Sequence, residues 1–156
     1  MQVVIIAGGL GTRLRSLTLN QPKSMIRILG KPFIEYQFDL LTKGSVTDVV
    51  LCLGYQSQQI ADYRGDGRKF GVNLKYSFEG KPLDTAGAIK LAEPLLDEYF
   101  FTLYGDSYVL IDFKDMLSVW QQKKSLGVMS VYQNHDRFDK SNTLRITSST
   151  DTSTHL

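Results

Sequence analysis

The segment Gly8-Gly9-Leu10-Gly11-Thr12-Arg13-Leu14 directly follows the apolar run Val3 to Ala7, and Pro22-Lys23 comes shortly after it. Glycines let backbone N–H groups turn towards a ligand and approach it closely, which is how phosphate oxygens are cradled. Arg13 and Lys23 add the positive charge that a polyphosphate requires. The same glycines would also serve as a plain turn between a strand and a helix, and Lys23 as a solvated surface lysine. A second reactive group, Asp106, sits behind Gly105 at the end of the run Phe100 to Tyr104. A carboxylate there suits Mg²⁺, which takes one or two protein carboxylates and completes its shell with phosphate oxygens and water. A turn aspartate is the alternative, because Gly-Asp is common in loops.

Two known phosphate fingerprints do not fit. A dinucleotide loop needs glycine or alanine where Leu14 stands, and a Walker loop needs glycine where Pro22 precedes Lys23-Ser24. A nicotinamide-dependent oxidoreductase is disfavoured on the same ground, and by the basic Arg13 and Lys23.

The elements that must position these groups follow from hydropathy periodicity. Short β-branched runs alternate with amphipathic stretches, the pattern of a parallel sheet with helices on its faces. Strands are expected at Val3 to Ala7, Val49 to Leu53, Val72 to Tyr76, Phe100 to Tyr104 and Val128 to Tyr132. Helices are expected from Pro32-Phe33 to a stop at Gly44, over Gln58 to Tyr63, and from Thr85 towards Leu96 with Asp84 or Thr85 as N-cap. A last helix is expected from Asp112, its cap, to Lys124, with Gly127 just past its end. The order β-α-β-α-β-α-β-α-β describes a doubly wound, mostly parallel α/β sandwich. Such sheets bind ligands beyond the carboxyl ends of their strands.

Composition narrows the class. The 156 residues are 42% hydrophobic, enough for one domain of ordinary size. Lys and Arg number 18 against 16 Asp and Glu, scattered rather than clustered, so no basic stripe for nucleic acid appears. The single cysteine, Cys52, excludes a disulfide framework within one chain. No run is long and apolar enough to span a membrane and no charged leader precedes Gln2, so a cytoplasmic location is expected. A homo-oligomer is left open. Arg64-Gly65-Asp66 spells an adhesion tripeptide that glycine-rich turns produce by chance. His135 and His155 have no metal partner at ligand spacing, and Trp120 lies among Met116, Leu117 and Val119 as a packing residue would.

Read as an ordered series, Ala7 to Leu14, Leu17-Thr18 and Pro22-Lys23 closely resemble the signature G-G-x-G-T-R-L-x-P-L-T…P-K of sugar-1-phosphate nucleotidyltransferases, also called nucleoside-diphosphate-sugar pyrophosphorylases. Gly54-Tyr55, Gly65-Asp66-Gly67, Pro82 to Ala88 and Gly105-Asp106 continue the resemblance to about Asn142. Ser16 stands where the signature usually has proline, and Asp84 where many members have glycine. The resemblance implies a Rossmann-like (GT-A-like) three-layer sandwich and transfer of a nucleotidyl group from a nucleoside triphosphate to a sugar-1-phosphate, releasing pyrophosphate. It implies that Gly8, Gly9, Gly11 and Thr12 hold the triphosphate and that Arg13 balances charge at the leaving pyrophosphate. Lys23 would bridge the α-phosphate and the incoming sugar phosphate, and Asp106 would bind Mg²⁺. The loop from Glu79 to Gly87 would contact the nucleoside. Thr85 and Gly87 would offer a hydroxyl and backbone groups, and Glu79 would accept from a guanine amine unless it is simply a solvated charge. The branch acting on mannose-, heptose- or N-acetylmuramic-acid-1-phosphate is the most similar, with guanylyl and uridylyl transfer both open.

The resemblance fades after Asn142. Relatives add a lysine for the sugar phosphate and a second metal aspartate in a D-Y-G context, and neither occurs here. From Thr147 to Thr154 every residue except Asp151 is Ser or Thr. The expectation is a C-terminally truncated nucleotidyltransferase, with the family domain at 1–142 and a divergent, Ser/Thr-rich, disordered tail at 143–156, nucleotide binding kept in part and catalysis weak or absent. A non-catalytic nucleotide- or sugar-phosphate-binding module is the second reading.

Overall fold

Each apolar β-branched run becomes a strand, except one. In chain order the elements are β1 (Gln2–Ala7), α1 (Arg15–Thr18), β2 (Arg27–Ile28), β3 (Lys31–Pro32), α2 (Phe33–Lys43), β4 (Asp48–Leu53), α3 (Ser57–Arg64), β5 (Asn73–Phe78), α4 (Asp84–Ala92), β6 (Phe101–Tyr104) and α5 (Phe113–Lys123). The computed structural model describes residues 1–9, 14–18, 21–54, 57–132 and 135. They belong to two units, Met1–Leu110 and Ile111–Leu156.

The first unit carries a sheet of order β5-β4-β1-β6 whose pairs are all parallel. Val3, Val4 and Ile5 of β1 and Val49 to Leu53 of β4 are at most 1% exposed. Both faces of these central strands are therefore covered, as a parallel sheet demands. On one face Val4, Val50 and Cys52 pack with Ala88 and Ala92 of α4, and Ile6, Leu95, Leu96 and Phe100 close that cluster. The alternate positions Val3, Ile5, Val49, Leu51 and Leu53 are equally dry, as are Ile34, Phe38 and Leu41 of α2 and Ile60 of α3. The chain runs from β1 outward through β4 to β5, then returns to place β6 on the other side of β1. That reversal makes the carboxyl ends of β1 and β6 the switch point of the sheet.

Helix α2 follows Pro32, whose fixed φ leads into it, and it closes with the Gly44 N–H donating to the Leu40 carbonyl and the Ser45 N–H to the Thr42 carbonyl, each at 3.0 Å. The left-handed residue at this end is Ser45 (φ 60), not Gly44 (φ −77). A two-residue hairpin that periodicity did not foresee joins β2 to β3. Leu29 (φ 50) and Gly30 (φ 80) turn it, both left-handed as such a turn needs.

Two expectations need correction. Helix α4 begins at Asp84 with Leu83 in the cap position and no side-chain cap, because Asp84 itself is left-handed at φ 55. That conformation suits glycine and costs an L-residue about 1–2 kcal/mol. Asp84→Gly should accordingly raise stability by about 0.5–1 kcal/mol, read as a higher urea midpoint.

The other correction concerns the second unit. Helix α5 is capped by Asp112 as expected, its carboxylate accepting from Lys114 N at 2.8 Å and Asp115 N at 3.1 Å. It ends at Lys124, as expected, and Lys124 itself is left-handed (φ 47). Val128 to Tyr132 forms no strand. Its side chains stay open, with Met129 68% and Val131 57% exposed. A strand needs a ladder partner, and the second unit has no other strand among its described residues. Trp120 is only half-buried and donates its indole N–H to the Ser125 carbonyl at 2.9 Å. The Ser/Thr-rich tail lies outside the described residues. Among those described, no helix is long and apolar enough to cross a membrane.

Cys52 is fully buried and its thiol lies near the Ala88 carbonyl, at 3.7 Å. Burial first, and the Glu79 charge second, push its pKa up from 9.0 to about 11. The folded state thus favours the neutral thiol. Its contribution is complete below pH 9 and is lost as pH rises through about 11, because the unfolded chain ionises first. The urea midpoint of the wild type should therefore fall between pH 9 and 11 more steeply than that of Cys52→Ala.

Candidate active site

The carboxyl ends of β1 and β6 open into a cleft of about 470 Å³, within the range of small-molecule sites. Ile6 to Gly9 form one wall, Tyr104 to Asp106 another, and Lys23-Ser24 and the segment Glu79 with Pro82 to Thr85 complete it, together with Leu14. The cleft lies wholly within the first unit.

Two residues far apart in sequence, Lys23 and Asp106, meet here. Lys23 Nζ donates to Asp106 Oδ2 at 2.7 Å, with side chains 31% and 42% exposed. Lys23 opens a single turn of tight helix, Lys23–Met25, held by Met25 N to Pro22 O at 2.9 Å. Asp106 follows Gly105, whose N–H extends the β1–β6 ladder to the Ile6 carbonyl at 2.8 Å. A Cβ on Gly105 would lie 2.8 Å from Ala7 Cβ and 3.0 Å from Ile6 O, so only glycine lets the β6 end approach β1 this closely. A pair this exposed contributes about 1 kcal/mol or less, so an incoming phosphate or cation can part it at small cost.

The glycine loop is described only at its start. Gly8 is pressed by Glu79, whose Oε1 would sit 2.6 Å from an added Cβ, whereas Gly9 is exposed with nothing within 4 Å of that position. Of the two glycines described, Gly9 is thus the one with open space beside its backbone. Gly11, Thr12 and Arg13 lie outside the described residues.

Glu79 is half-buried and its Oε2 accepts from Leu83 N at 3.1 Å, which pins the turn ahead of α4. It is therefore a structural tie as well as a carboxylate on the cleft wall. Thr85 lines the cleft, but Gly87 does not. Gly87 lies inside α4, where an added Cβ would come 2.8 Å from Leu83 Cβ, so its smallness serves packing.

Sequence reading did not single out Ser24, Leu14 or Tyr104 as wall residues, whereas Pro82 and Leu83 fall within the Glu79-to-Gly87 loop it placed there. It also missed Gln37, which is 2% exposed and donates from Nε2 to Tyr104 O and Ser107 O, both at 2.8 Å. A signal for Gln37 existed, because it is a polar residue inside the apolar stripe Ile34, Phe38, Leu41. Ser24 carries no such signal. Its Oγ is buried without a hydrogen-bond partner among the described residues.

Of the other motifs, Arg64-Gly65-Asp66 is not presented as a surface tripeptide, since Arg64 is 1% exposed and paired with Glu35. His135 is exposed, and no group of three or more His, Cys, Asp or Glu that could hold a metal occurs among the described residues.

Comparison with known proteins gives a consistent picture. Residues 2–139 match the family model described as nucleotidyl transferase. The chain is 38% identical over 135 residues to a mannose-1-phosphate guanyltransferase of Gibberella zeae, covering 84% of this chain and 37% of that protein. It is 36% identical over 146 residues to a D-glycero-alpha-D-manno-heptose 1-phosphate guanylyltransferase of Campylobacter jejuni, covering 94% and 63%. The crystal structure of HddC from Yersinia pseudotuberculosis complexed with GMP-PN superposes with a TM-score of 0.68 at 36% identity, covering 76% of this chain and 53% of that one. The chain thus spans between roughly a third and two-thirds of the length of these relatives.

Proposed function

Because the chain belongs to the nucleotidyl transferase family, we propose that its cleft binds a nucleoside triphosphate and takes part in transferring the nucleotidyl group to a sugar-1-phosphate. The observation that carries this reading is the Lys23–Asp106 pair at the switch point, a cation and an anion held 2.7 Å apart beside an open glycine backbone. In the reaction an oxygen of the sugar-1-phosphate attacks the α-phosphorus, a new P–O bond forms, and the bond to the β-phosphate oxygen breaks to release pyrophosphate. Such an in-line displacement asks the protein mainly for positioning and charge neutralisation.

Backbone N–H groups at Gly8 and Gly9 approach the phosphates, and Gly11 and Thr12 continue that cradle in the family signature. Lys23 neutralises charge where the α-phosphate meets the sugar phosphate, and Arg13 does so at the leaving pyrophosphate. Thr85 and Glu79 face the nucleoside side of the cleft, and Gly87 supports them by packing. A guanine base is favoured by the two guanylyl-transferring relatives named above and by Glu79, whose carboxylate can accept from the exocyclic amine.

The donor set suits Mg²⁺. Asp106 is an exposed carboxylate on the cleft wall, and Mg²⁺ takes one or two protein carboxylates and completes its shell with phosphate oxygens and water. When bound on Asp106, the ion would neutralise phosphate charge and orient the triphosphate.

Pyrophosphate release from a panel of nucleoside triphosphates and sugar-1-phosphates tests the proposal. Release that requires Mg²⁺, a triphosphate and a sugar-1-phosphate together supports transfer. Saturable nucleotide binding without release selects the non-catalytic binding module instead.

A further inference from the structure

We propose that Gln37 is a positioning residue that sets the Lys23–Asp106 pair by clamping the turn on which Asp106 sits. The proposal rests on the assignment of Asp106 to the site. Gln37 spends both N–H bonds of its amide on the carbonyls of Tyr104 and Ser107, at 2.8 Å each, and these two residues bracket Gly105-Asp106. The amide orientation is dictated by chemistry, because the reverse orientation would set its oxygen against two carbonyl oxygens. Its own Oε1 is left buried without a partner among the described residues, a cost accepted to direct both donors at the turn.

Among the described residues the turn has few other restraints. There β6 is an edge strand, and beyond it the backbone bonds holding the turn are Gly105 N to Ile6 O at 2.8 Å and Ser107 N to Tyr104 O at 3.1 Å. Gln37 reaches it from α2, which also steadies the opposite partner. The first residue of α2, Phe33, donates its N–H at 3.0 Å to the carbonyl of Ile26, just past the Lys23–Met25 turn. One helix therefore fixes both the lysine turn and the aspartate turn, so the separation of the two charges is set by α2 and not by their own loops. Gln37 touches neither side chain. It acts through the backbone that carries Asp106.

Competitive acylation of the full chain, with Lys23 modification read by mass spectrometry against Lys114 as internal reference, tests this without any substrate. A lysine amine held on a carboxylate reacts more slowly than a released one. Asp106→Asn should raise Lys23 labelling about two- to five-fold, the scale of an exposed ion pair. Gln37→Met, which keeps much of the length but donates nothing, should raise it to the same level and add nothing when combined with Asp106→Asn. Gln37→Glu, with volume kept and donors replaced by acceptors, should do likewise. Wild-type labelling of Lys23 in either variant would overturn the proposal, as would an effect that multiplies with that of Asp106→Asn. A lower melting temperature alone, with the Lys23-to-Lys114 ratio unchanged, would mean that Gln37 serves only stability. Failure of the functional reading shows separately, as absence of nucleotide binding by the wild type, and leaves the labelling result standing.

Discussion

Alanine at Lys23, or at Asp106, should lower turnover of nucleoside triphosphate with sugar-1-phosphate by about 10²- to 10³-fold, the size of effect seen when one well-placed donor to a developing charge is removed. Stability should barely change. The pair is 31% and 42% exposed, and exposed pairs contribute about 1 kcal/mol or less. The loss is therefore chemical and separable from unfolding by a melting curve. The two side chains are 2.7 Å apart and on the proposed reading serve one reacting centre, so the double variant should lose much less than the product of the single losses. Full additivity in steady-state kcat/KM would mean that they work independently.

The largest effect on folding is expected at Glu35. Arg64 is buried, its side chain 0% exposed against 15% for Glu35, and Nη1 donates to Glu35 Oε1 at 2.7 Å. The guanidinium lies 4.3 Å from the Tyr63 ring centroid, 4.6 Å from that of Phe70 and 5.6 Å from that of Phe38. Its Nη2 approaches Met25 Sδ at 3.8 Å, behind the turn that carries Lys23. Burial pulls the pKa of Arg64 down, and the hydrogen bond and charge of Glu35 oppose that pull. Glu35→Ala leaves the cation buried against rings alone and should cost about 3–5 kcal/mol. Replacing both partners, as Glu35→Leu with Arg64→Met, should recover most of that loss because no buried charge remains. Urea unfolding of the three chains, followed by circular dichroism, measures both quantities. Equal destabilisation by the single and double changes would show that shape, not charge, governs this cluster.

How far these features could be read in advance depends on whether their cause is local. The β1 and β4 runs are apolar without interruption, and a strand buried on both faces leaves that mark directly. The α2 stripe with Pro32 before it and Gly44 after it is equally local, as is the Asp112 cap. Val128 to Tyr132 has the composition of a strand, but a strand also needs a neighbour, and composition says nothing of that. Asp84 looked like a cap because its side chain suits one. Its backbone is left-handed instead, a property set by how the Glu79-to-Leu83 segment folds back.

The site divides in the same way. Gly8, Gly9, Lys23 and Asp106 were identifiable because strand ends and signature spacing mark them, and the fold brings them to one cleft. Gly87 was placed at the nucleoside by its neighbours in sequence, whereas its tight contact with Leu83 is a packing relation between turns. Gln37 lies 67 residues from Tyr104 and 70 from Ser107, and only the parallel crossover reveals that it holds the aspartate turn.

The central claim is that the β1–β6 cleft receives a nucleoside triphosphate through Lys23 and Asp106. Calorimetric titration of the full chain with Mg²⁺-GTP, then with the other nucleoside triphosphates, tests it most directly. The account predicts saturable one-site binding with a dissociation constant between about 1 μM and 1 mM, the range typical of enzyme substrates. Binding should be abolished or strongly weakened in Lys23→Ala and Asp106→Ala chains whose melting temperatures match the wild type. No saturable heat with any of the triphosphates up to about 1 mM, or undiminished binding in both variants, would contradict it.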